Sequence, residues 1–293
     1  MQVTRIAVIG AGIMGRGIAQ AAVQGGFETV LQDVDAGQLA AAVQAIRAGL
    51  SKAAARGALT ASDVDRWLGH LHPAAALGEA AADAQLVIEA VPERIDLKIR
   101  ILAELDRVCP PATILASNTS SLSITEMAAA TRRAPQVLGM HFFNPVPRMR
   151  LLEIVRALET SDATVAAAED VGRRLQKETV IVRESPGFVT SRINALIGSE
   201  AFRMLEEGVA NAADIDKALK LGLNHPMGPF ELVDLVGLDT RLAILEHLHR
   251  TLGDRFRPSP LLVQYVKAGR LGRKTGRGVY DYGDAGGSGD SER

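Results

Sequence analysis

Short apolar runs alternate with longer helical stretches through the first half of the chain. The runs at residues 5–9 and 28–32 are typical of buried parallel strands, and residues 14–24 between them carry the spacing of a helix. Together these three segments predict one βαβ unit.

The same alternation continues to about residue 140. Helices are predicted over residues 36–56 and 95–108, and strands are predicted at residues 84–89, 112–116 and 136–140. An apolar strand-like run then follows at residues 151–155. The pattern predicts an α/β fold with a Rossmann-type, doubly wound and mostly parallel sheet.

The pattern changes near residue 185, where proline and glycine at positions 186 and 187 break the chain. We predict a Rossmann-type domain over residues 1–184 and an all-helical C-terminal domain over residues 185–293. A glycine-rich tail from about residue 283 is expected to be disordered. Helices of the second domain are predicted at residues 193–207, 213–221, 230–252 and 260–268.

Composition and charge narrow the class of protein. Of the 293 residues, 47% are apolar and 23% are charged, which suffices for a sizeable core. The 33 basic and 34 acidic residues nearly cancel, so we expect no nucleic-acid partner. Cys109 is the only cysteine, which excludes an internal disulfide and a cysteine-rich zinc site, and no metal site is predicted. Without a signal-peptide pattern or a spanning apolar stretch, we expect a cytoplasmic protein with no membrane partner.

A glycine-rich pattern follows the first predicted strand and opens the first predicted helix. It matches G-x-G-x-x-G, a weak signal alone that gains weight from this strand–helix context. The first glycine permits a tight turn, the second lets a pyrophosphate approach the backbone, and the third allows close packing, while the helix amides attract the phosphates. The expected cofactor contacts in this loop are Gly10, Gly12, Ile13, Met14 and Gly15.

Asp33 follows the second predicted strand, at the distance where an acidic residue binds the adenosine ribose. Its carboxylate would repel the 2′-phosphate of NADP, so NAD is the predicted cofactor, although FAD uses the same kind of loop. The alternative interpretation is a strand-to-helix turn with a solvent-exposed aspartate.

His141 has an unusual setting among the six histidines. It ends an apolar run, and the sequence Asn144-Pro-Val-Pro147 turns the chain before the run that contains Glu153. If the two runs pair, the carboxylate meets the imidazole, fixes its tautomer and stabilises its protonated form. A core histidine with a structural glutamate is the alternative.

The remaining histidines have simpler interpretations. His70 and His72 adjoin Pro73 in a predicted loop, while His247 and His249 are predicted on a solvated helix surface. Ligands of doubly wound folds bind at the carboxyl ends of strands, where Glu89 and the polar run at residues 117–120 also lie. Asn118 in that run is a candidate cofactor contact.

Longer stretches of the chain resemble the L-3-hydroxyacyl-CoA dehydrogenase family, and they look closest to its bacterial 3-hydroxybutyryl-CoA dehydrogenases. Nearly the whole chain is covered, because several long motifs occur in the family's order. These motifs lie at residues 10–20, 117–122, 139–147, 185–188, 223–231, 234–239 and 271–280.

The resemblance implies NAD-dependent oxidation of an L-3-hydroxyacyl-CoA, of short chain such as 3-hydroxybutyryl-CoA, to the 3-ketoacyl-CoA, or the reverse reduction. It implies that His141 is the base and Glu153 its partner. The other implied roles are substrate-oxygen binding by Ser120 and Asn144, and proximity to the nicotinamide end of NAD for Glu93 and Lys98.

Three further substrate contacts come from the resemblance. Ser191 stands where the family commonly carries asparagine, so a shorter hydroxyl replaces the amide expected there. Lys52 and Arg56 are candidates for binding the acyl-CoA phosphates, with a solvated helix face as the alternative. The resemblance also implies a homodimer through the helical domain, whose apolar residues could instead form its own core.

Two other functions fit the same residues. One is a dehydrogenase of a free hydroxy acid or sugar acid on the same fold. The other is an NAD-binding regulator without catalytic activity.

Overall fold

The computed structural model describes residues 2–283. The chain divides into two compact units, Met1–Ser185 and Pro186–Arg293, one residue after the predicted boundary. From residue 284 onward, the predicted tail lies outside the described residues. No helix within residues 2–283 is both long and apolar enough to cross a bilayer.

An eight-stranded sheet forms the centre of the first unit. Its strands lie in the order β3-β2-β1-β4-β5-β6-β7-β8, and every neighbouring pair is parallel except β6 with β7. The predicted doubly wound, mostly parallel sheet is therefore confirmed. The strands are β1 (Arg5–Ile9), β2 (Glu28–Gln32), β3 (Leu71–Ala74), β4 (Leu86–Glu89), β5 (Ile114–Ser117), β6 (Val137–Phe142), β7 (Leu151–Arg156) and β8 (Glu178–Arg183).

Seven helices accompany this sheet. The strands β4, β5 and β6 are buried along their whole length, as expected where a parallel sheet has helices on both faces. Asp35 accepts a hydrogen bond from the amide of Gln38 and so fixes the start of the long second helix. The helices are α1 (Ile13–Gln24), α2 (Ala36–Ala55), α3 (Ala61–Gly69), α4 (Leu77–Ala81), α5 (Ile95–Val108), α6 (Ile124–Ala129) and α7 (Asp162–Arg174).

The second unit is helical, as predicted. Its core contains Phe202, Phe230 and Phe256 together with leucines of several helices, and the ring of Phe202 meets that of Phe230 edge-on at 5.2 Å between centroids. The helices are α8 (Thr190–Glu206), α9 (Ala212–Gly222), α10 (Pro229–Val236), α11 (Leu238–Leu252) and α12 (Pro260–Lys267).

One predicted helix of this unit is wrong. Residues 230–252 were predicted as a single helix, but the structure has two, α10 and α11, separated by Gly237. Gly237 has φ of +107°, a conformation open to glycine and strained for residues with a Cβ. The apolar periodicity continues across this break, and for that reason it concealed the end of α10.

The loop predicted around His70 and His72 is also wrong in part. His72 and Pro73 lie in β3, which is the edge strand next to β2 and can therefore contain a proline. Both imidazoles contact the carboxylate of Glu28 in β2. Besides β3, four helices and one strand of the first unit have no counterpart among the predicted elements: α3, α4, α6, α7 and β8.

Candidate functional site

The carboxyl ends of five parallel strands lie along one edge of the sheet. They belong to β1, β2, β4, β5 and β6, whose mutual pairing is parallel throughout. The strand order reverses direction between β1 and β4, since β2 and β3 extend to one side and the later strands extend to the other. In open α/β sheets a ligand crevice forms outside the strand ends at such a switch point.

The glycine loop lies at this switch point. Gly10 has φ of +99°, and a Cβ added there would lie 2.9 Å from the carbonyl oxygen of Ala90, which follows β4. A Cβ at Gly15 would overlap the backbone of Gly10. Beside Gly12, in contrast, the nearest atom to an added Cβ would be 3.7 Å away. The loop is therefore tight at its two ends and open at its middle glycine.

The start of α1 is suited to bind an anion. Gly12 caps the helix, and as a glycine it has no side chain that could accept a hydrogen bond from the first amides. Amides of a first helical turn have no acceptor within the helix and bind phosphate readily. Ile13 is 61% exposed beside them despite its apolar side chain, and Met14 is half-buried. The residues present thus fit the pyrophosphate of a dinucleotide.

Asp33 faces the glycine loop. Its Oδ2 accepts a hydrogen bond from the amide of Ala11 at 2.7 Å, and its Oδ1 accepts one from the amide of Asp35 at 3.0 Å. The side chain is only half-buried. A carboxylate has about four acceptor positions, so Asp33 retains capacity for ribose hydroxyls.

His141 and Glu153 lie directly opposite one another in the antiparallel pair of β6 and β7. Nδ1 of His141 is 2.6 Å from Oε2 of Glu153, and both residues are buried. The ring of Phe143 packs 4.5 Å from the imidazole between centroids. An ionised carboxylate can only accept, so Nδ1 carries the proton and Nε2 is the basic nitrogen.

A buried ion pair lies at the ends of β4 and β5. Nζ of Lys98, a residue 1% exposed, donates to Oε1 of Glu89 at 2.7 Å and to the carbonyl of Val91 at 3.3 Å. Glu89 also accepts from Oγ of Ser117 at 2.6 Å. Glu93 lies 3.4 Å from the same ammonium, and its side chain is 39% exposed. Lys98 is therefore held inside the protein, and Glu93 is the one charged side chain of this group that reaches solvent.

Glu93 connects this ion pair to the segment after β5. Its Oε1 accepts from Oγ1 of Thr119 at 2.5 Å, from the amide of Ser120 at 2.9 Å and from Oγ of Ser120 at 3.3 Å. Oδ1 of Asn118 accepts from the amide of Phe142 at 2.9 Å, next to His141 along β6. Hydrogen bonds thus join the predicted residues Glu93, Lys98 and Ser120, and Asn118 holds the end of β6.

The other predicted residues lie elsewhere. Asn144 is exposed in the turn after β6, before a cis peptide bond to Pro145. Lys52 and Arg56 are exposed at the end of α2, where a rise of 1.5 Å per residue places Lys52 about 24 Å along the axis from Ala36. Ser191 lies in α8 of the second unit and is half-buried.

Three members of the hydrogen-bond network, Glu89, Ser117 and Thr119, are not among the predicted site residues. The sequence places Glu89 at a strand end and the two hydroxyl residues in a polar run. The available signal was a glutamate at the end of an apolar strand with a lysine nine residues later in the next helix. Within residues 2–283, no three His, Cys, Asp or Glu side chains are grouped so as to hold a metal ion.

Comparison with known proteins gives one consistent result. The NAD-binding domain model of 3-hydroxyacyl-CoA dehydrogenase matches residues 5–185, and the C-terminal domain model of the same family matches residues 187–282. Together the two matches span both units of the chain.

Individual relatives agree with these matches. A probable 3-hydroxybutyryl-CoA dehydrogenase of Bacillus subtilis is 46% identical over 96% of this chain and 98% of its own length. The 3-hydroxyadipyl-CoA dehydrogenase of Escherichia coli is 42% identical over 96% of this chain and 60% of its own length. The crystal structure of (S)-3-hydroxybutyryl-CoA dehydrogenase from Ralstonia eutropha superposes with a TM-score of 0.93 at 43% identity, covering 97% of this chain and all of that one.

The match to the NAD-binding domain model covers both the glycine loop and Asp33. The predicted cofactor is thereby confirmed as NAD, in preference to FAD. The chain therefore belongs to the 3-hydroxyacyl-CoA dehydrogenase family, whose members are NAD-dependent enzymes.

Proposed function

We propose that the enzyme interconverts L-3-hydroxybutyryl-CoA and acetoacetyl-CoA, with His141 as general base and Glu153 as its partner. The observation that carries this proposal is the 2.6 Å contact between Nδ1 of His141 and Oε2 of Glu153 beside the strand ends. The names of the relatives support a CoA thioester as the substrate class, and two of the three name the four-carbon acyl group.

In the direction of oxidation, Nε2 of His141 removes the proton of the substrate hydroxyl. When NAD⁺ is bound, its nicotinamide supplies the acceptor for a hydride, which leaves the carbon atom that bears this hydroxyl. Glu153 keeps the proton of the imidazole on Nδ1 and stabilises the positive charge that the ring gains. In the reverse direction the protonated ring returns the proton to the carbonyl oxygen.

The remaining residues orient the two ligands. Gly10, Gly12, Ile13, Met14 and Gly15 would hold the pyrophosphate, and Asp33 the adenosine ribose. Ser120 and Asn144 would hold the substrate oxygen near the base, while Glu93, fixed by Thr119 and Lys98, would lie near the nicotinamide end together with Asn118. Ser191, Lys52 and Arg56 are proposed contacts of the acyl-CoA.

We also propose a homodimer formed through the second unit. Its surface carries apolar side chains that a folded monomer would leave in water, among them Leu221, which is 80% exposed, and Leu223. The relative molecular mass in solution tests the dimer.

The cytoplasm is the proposed compartment, since the free thiol of Cys109 is compatible with reducing conditions.

The decisive variant is His141→Ala, assayed by NADH consumption with acetoacetyl-CoA. Because general-base assistance contributes about 10²- to 10⁴-fold, turnover should fall by that factor while the Kd for NADH stays within about twofold. His72→Ala, which removes a histidine at the sheet edge, serves as the control and should keep wild-type turnover. Wild-type turnover in His141→Ala would refute the proposed base.

The substrate class is tested separately. Acetoacetyl-CoA and free acetoacetate are compared at equal concentration, and a series of longer and of dicarboxylic 3-ketoacyl-CoA substrates follows. Turnover of the thioester with little of the free acid is expected. Preference for free acetoacetate would favour a hydroxy-acid dehydrogenase, and NADH binding without turnover of any substrate would favour a regulator.

A further inference from the structure

A second group of charged side chains lies on the first unit, and none of them has an assigned role in the proposed reaction. These side chains line a cavity of about 630 Å³, which we call the basic cavity. Arg148 and Arg150 reach it from the turn before β7, Arg173 from the end of α7, and Lys177 from the residue before β8. Glu178 is the one acidic lining residue in the described part of the chain.

Lys177 is the most confined of these cations. Its side chain is 9% exposed, and Nζ donates to the carbonyl oxygens of Val146 at 2.6 Å and Met149 at 2.8 Å. No carboxylate within residues 2–283 forms an ion pair with it. Burial lowers the pKa of Lys177, because the charged form has lost water without gaining a counter-ion. Two of its three N–H groups are used, which leaves one for an anion in the cavity.

The arginines around Lys177 form only exposed ion pairs, or none among the described residues. Arg148 is exposed and has no ion-pair partner among the described residues. Arg150 lies 2.8 Å from Glu178, and Arg173 lies 2.9 Å from Asp170, but all four of these side chains are at least half exposed. Exposed pairs of this kind contribute little and exchange readily for a stronger partner. Guanidinium groups match the oxygens of a phosphate in pairs.

An aromatic surface completes the basic cavity. Trp67 of α3, half-buried, lines it together with Leu59. A planar ring beside several cations is the combination that binds a nucleotide, since the base stacks while the phosphates meet the charges. The volume of the cavity lies in the range of small-molecule sites, about 300–1,000 Å³.

We propose that the basic cavity binds an adenine nucleotide, with its phosphates against Lys177, Arg148 and Arg150 and its base against Trp67. No residue of the glycine loop, of the Glu89–Lys98 network or of the His141–Glu153 pair lines this cavity. The cavity is therefore separate from the residues proposed to hold NAD and to act on the reacting atoms. Its ligand is either a free nucleotide or the nucleotide end of coenzyme A, which share this chemistry.

The test is calorimetric titration of ADP into the wild-type enzyme with saturating NADH, so that the dinucleotide site is filled. One ADP should bind per chain. Arg148→Ala should weaken that binding about tenfold, the usual effect of losing one charge-assisted hydrogen bond. Glu178→Gln should strengthen it severalfold, because it removes the one opposing charge and releases Arg150. Arg250→Ala, at an exposed position of α11, is the control and should change nothing.

Arg148 and Glu178 are chosen because Lys177 also holds the turn before β7 and its loss would disturb folding. Opposite shifts in the two variants support the site. The absence of ADP binding to the wild type, or equal affinity in all variants, would overturn it. ADP binding at wild-type affinity in His141→Ala, whose imidazole lies outside the cavity, keeps this result separate from that of the proposed reaction.

The two sources of nucleotide are distinguished by competition. Displacement of ADP by coenzyme A, with a raised KM for acetoacetyl-CoA in Arg148→Ala, would identify the ligand as the nucleotide end of the substrate. ADP binding that coenzyme A leaves unchanged, with an unaltered KM, would identify a free nucleotide.

Discussion

Both units bury carboxylates, but the partners of these groups differ. In the first unit Glu89 contacts the ammonium of Lys98 and Glu153 contacts the imidazole of His141. In the second unit Asp216 accepts from two backbone amides at the start of α10 and from the hydroxyl of Tyr280. Asp234 accepts from the amide of Val279 and other neutral donors.

The difference indicates how a buried acid can be interpreted. Neutral donors satisfy a carboxylate and fix the backbone that carries them, as Asp216 does for the start of α10. A partner such as an imidazole or an ammonium group, which itself binds a proton, couples the carboxylate to proton transfer or to a neighbouring positive charge. Burial of an acid therefore marks a candidate site only when its partner is a cation or a group that can become one near neutral pH.

The largest effect is expected for Glu89→Gln. This change leaves the buried ammonium of Lys98 with the more distant and partly exposed Glu93 as its remaining carboxylate, and breaking a buried ion pair costs about 3–5 kcal/mol of unfolding free energy. Urea unfolding followed by circular dichroism measures the loss. Adding Lys98→Met to Glu89→Gln should restore part of it, because both charges are then absent. A stability within 1 kcal/mol of wild type in Glu89→Gln would contradict the assigned importance of this pair.

Glu153→Gln should lower turnover about 100-fold while stability changes less than in Glu89→Gln. The amide cannot stabilise the protonated imidazole and can present a donor to Nδ1, which disfavours the required tautomer. Steady-state kinetics with acetoacetyl-CoA and NADH, and the Kd for NADH, check both parts. Turnover equal to wild type would place this pair with the structural acids of the second unit.

Asp234→Asn should lower the unfolding free energy by about 1.5–3 kcal/mol, because hydrogen bonds to a charged acceptor are lost. In the wild type the carboxylate of Asp234 accepts hydrogen bonds from the amides of Val279 and Tyr280. The NH₂ group of the substituted asparagine would face those donors. The turnover of the folded variant should stay within about threefold. Asp239→Asn is the matched control: its pair with Lys274 is exposed, so a loss below about 1 kcal/mol is expected.

The smallest effect concerns alkaline pH. Burial, followed by the hydrogen bond to Asp234, raises the pKa of Tyr282 to about 12, and burial with Asp216 raises the pKa of Tyr280 as well. An unfolded tyrosine ionises near pH 10, so this contribution to stability is complete below about pH 10 and is lost as the pH rises through 12. Absorbance of tyrosinate during a pH titration should show Tyr280 and Tyr282 ionising only well above pH 10. In Asp234→Asn, Tyr282 should ionise earlier.

Local sequence patterns predict much of the fold. The first βαβ unit, the glycine loop and the helices of the second unit follow from periodicity and from strand–helix context over a few residues. The pairing of His141 with Glu153 was also predictable, since a turn between two apolar runs favours an antiparallel pair in which these residues are opposite.

Other elements depend on contacts that no local pattern contains. Glu89, Lys98 and Thr119 come together only when β4, β5 and α5 pack, so their network needed the tertiary structure. The end of α10 at Gly237 was hidden by continuous apolar periodicity. In contrast, α3 begins with a capping box between Thr60 and Asp63, which is a local signal that the sequence itself contains.

The antiparallel pair of β6 and β7 has a consequence for engineering this protein. Strand side chains alternate between faces, so a register slip of one residue would send Glu153 to the opposite face from His141, whatever the quality of the surrounding fold. A redesign of the turn at residues 143–150 must therefore keep the alignment of this ladder as well as Asn144 and the carbonyl groups that hold Lys177. A loop that retains those groups but shifts the strand by one position would still separate the acid from the imidazole.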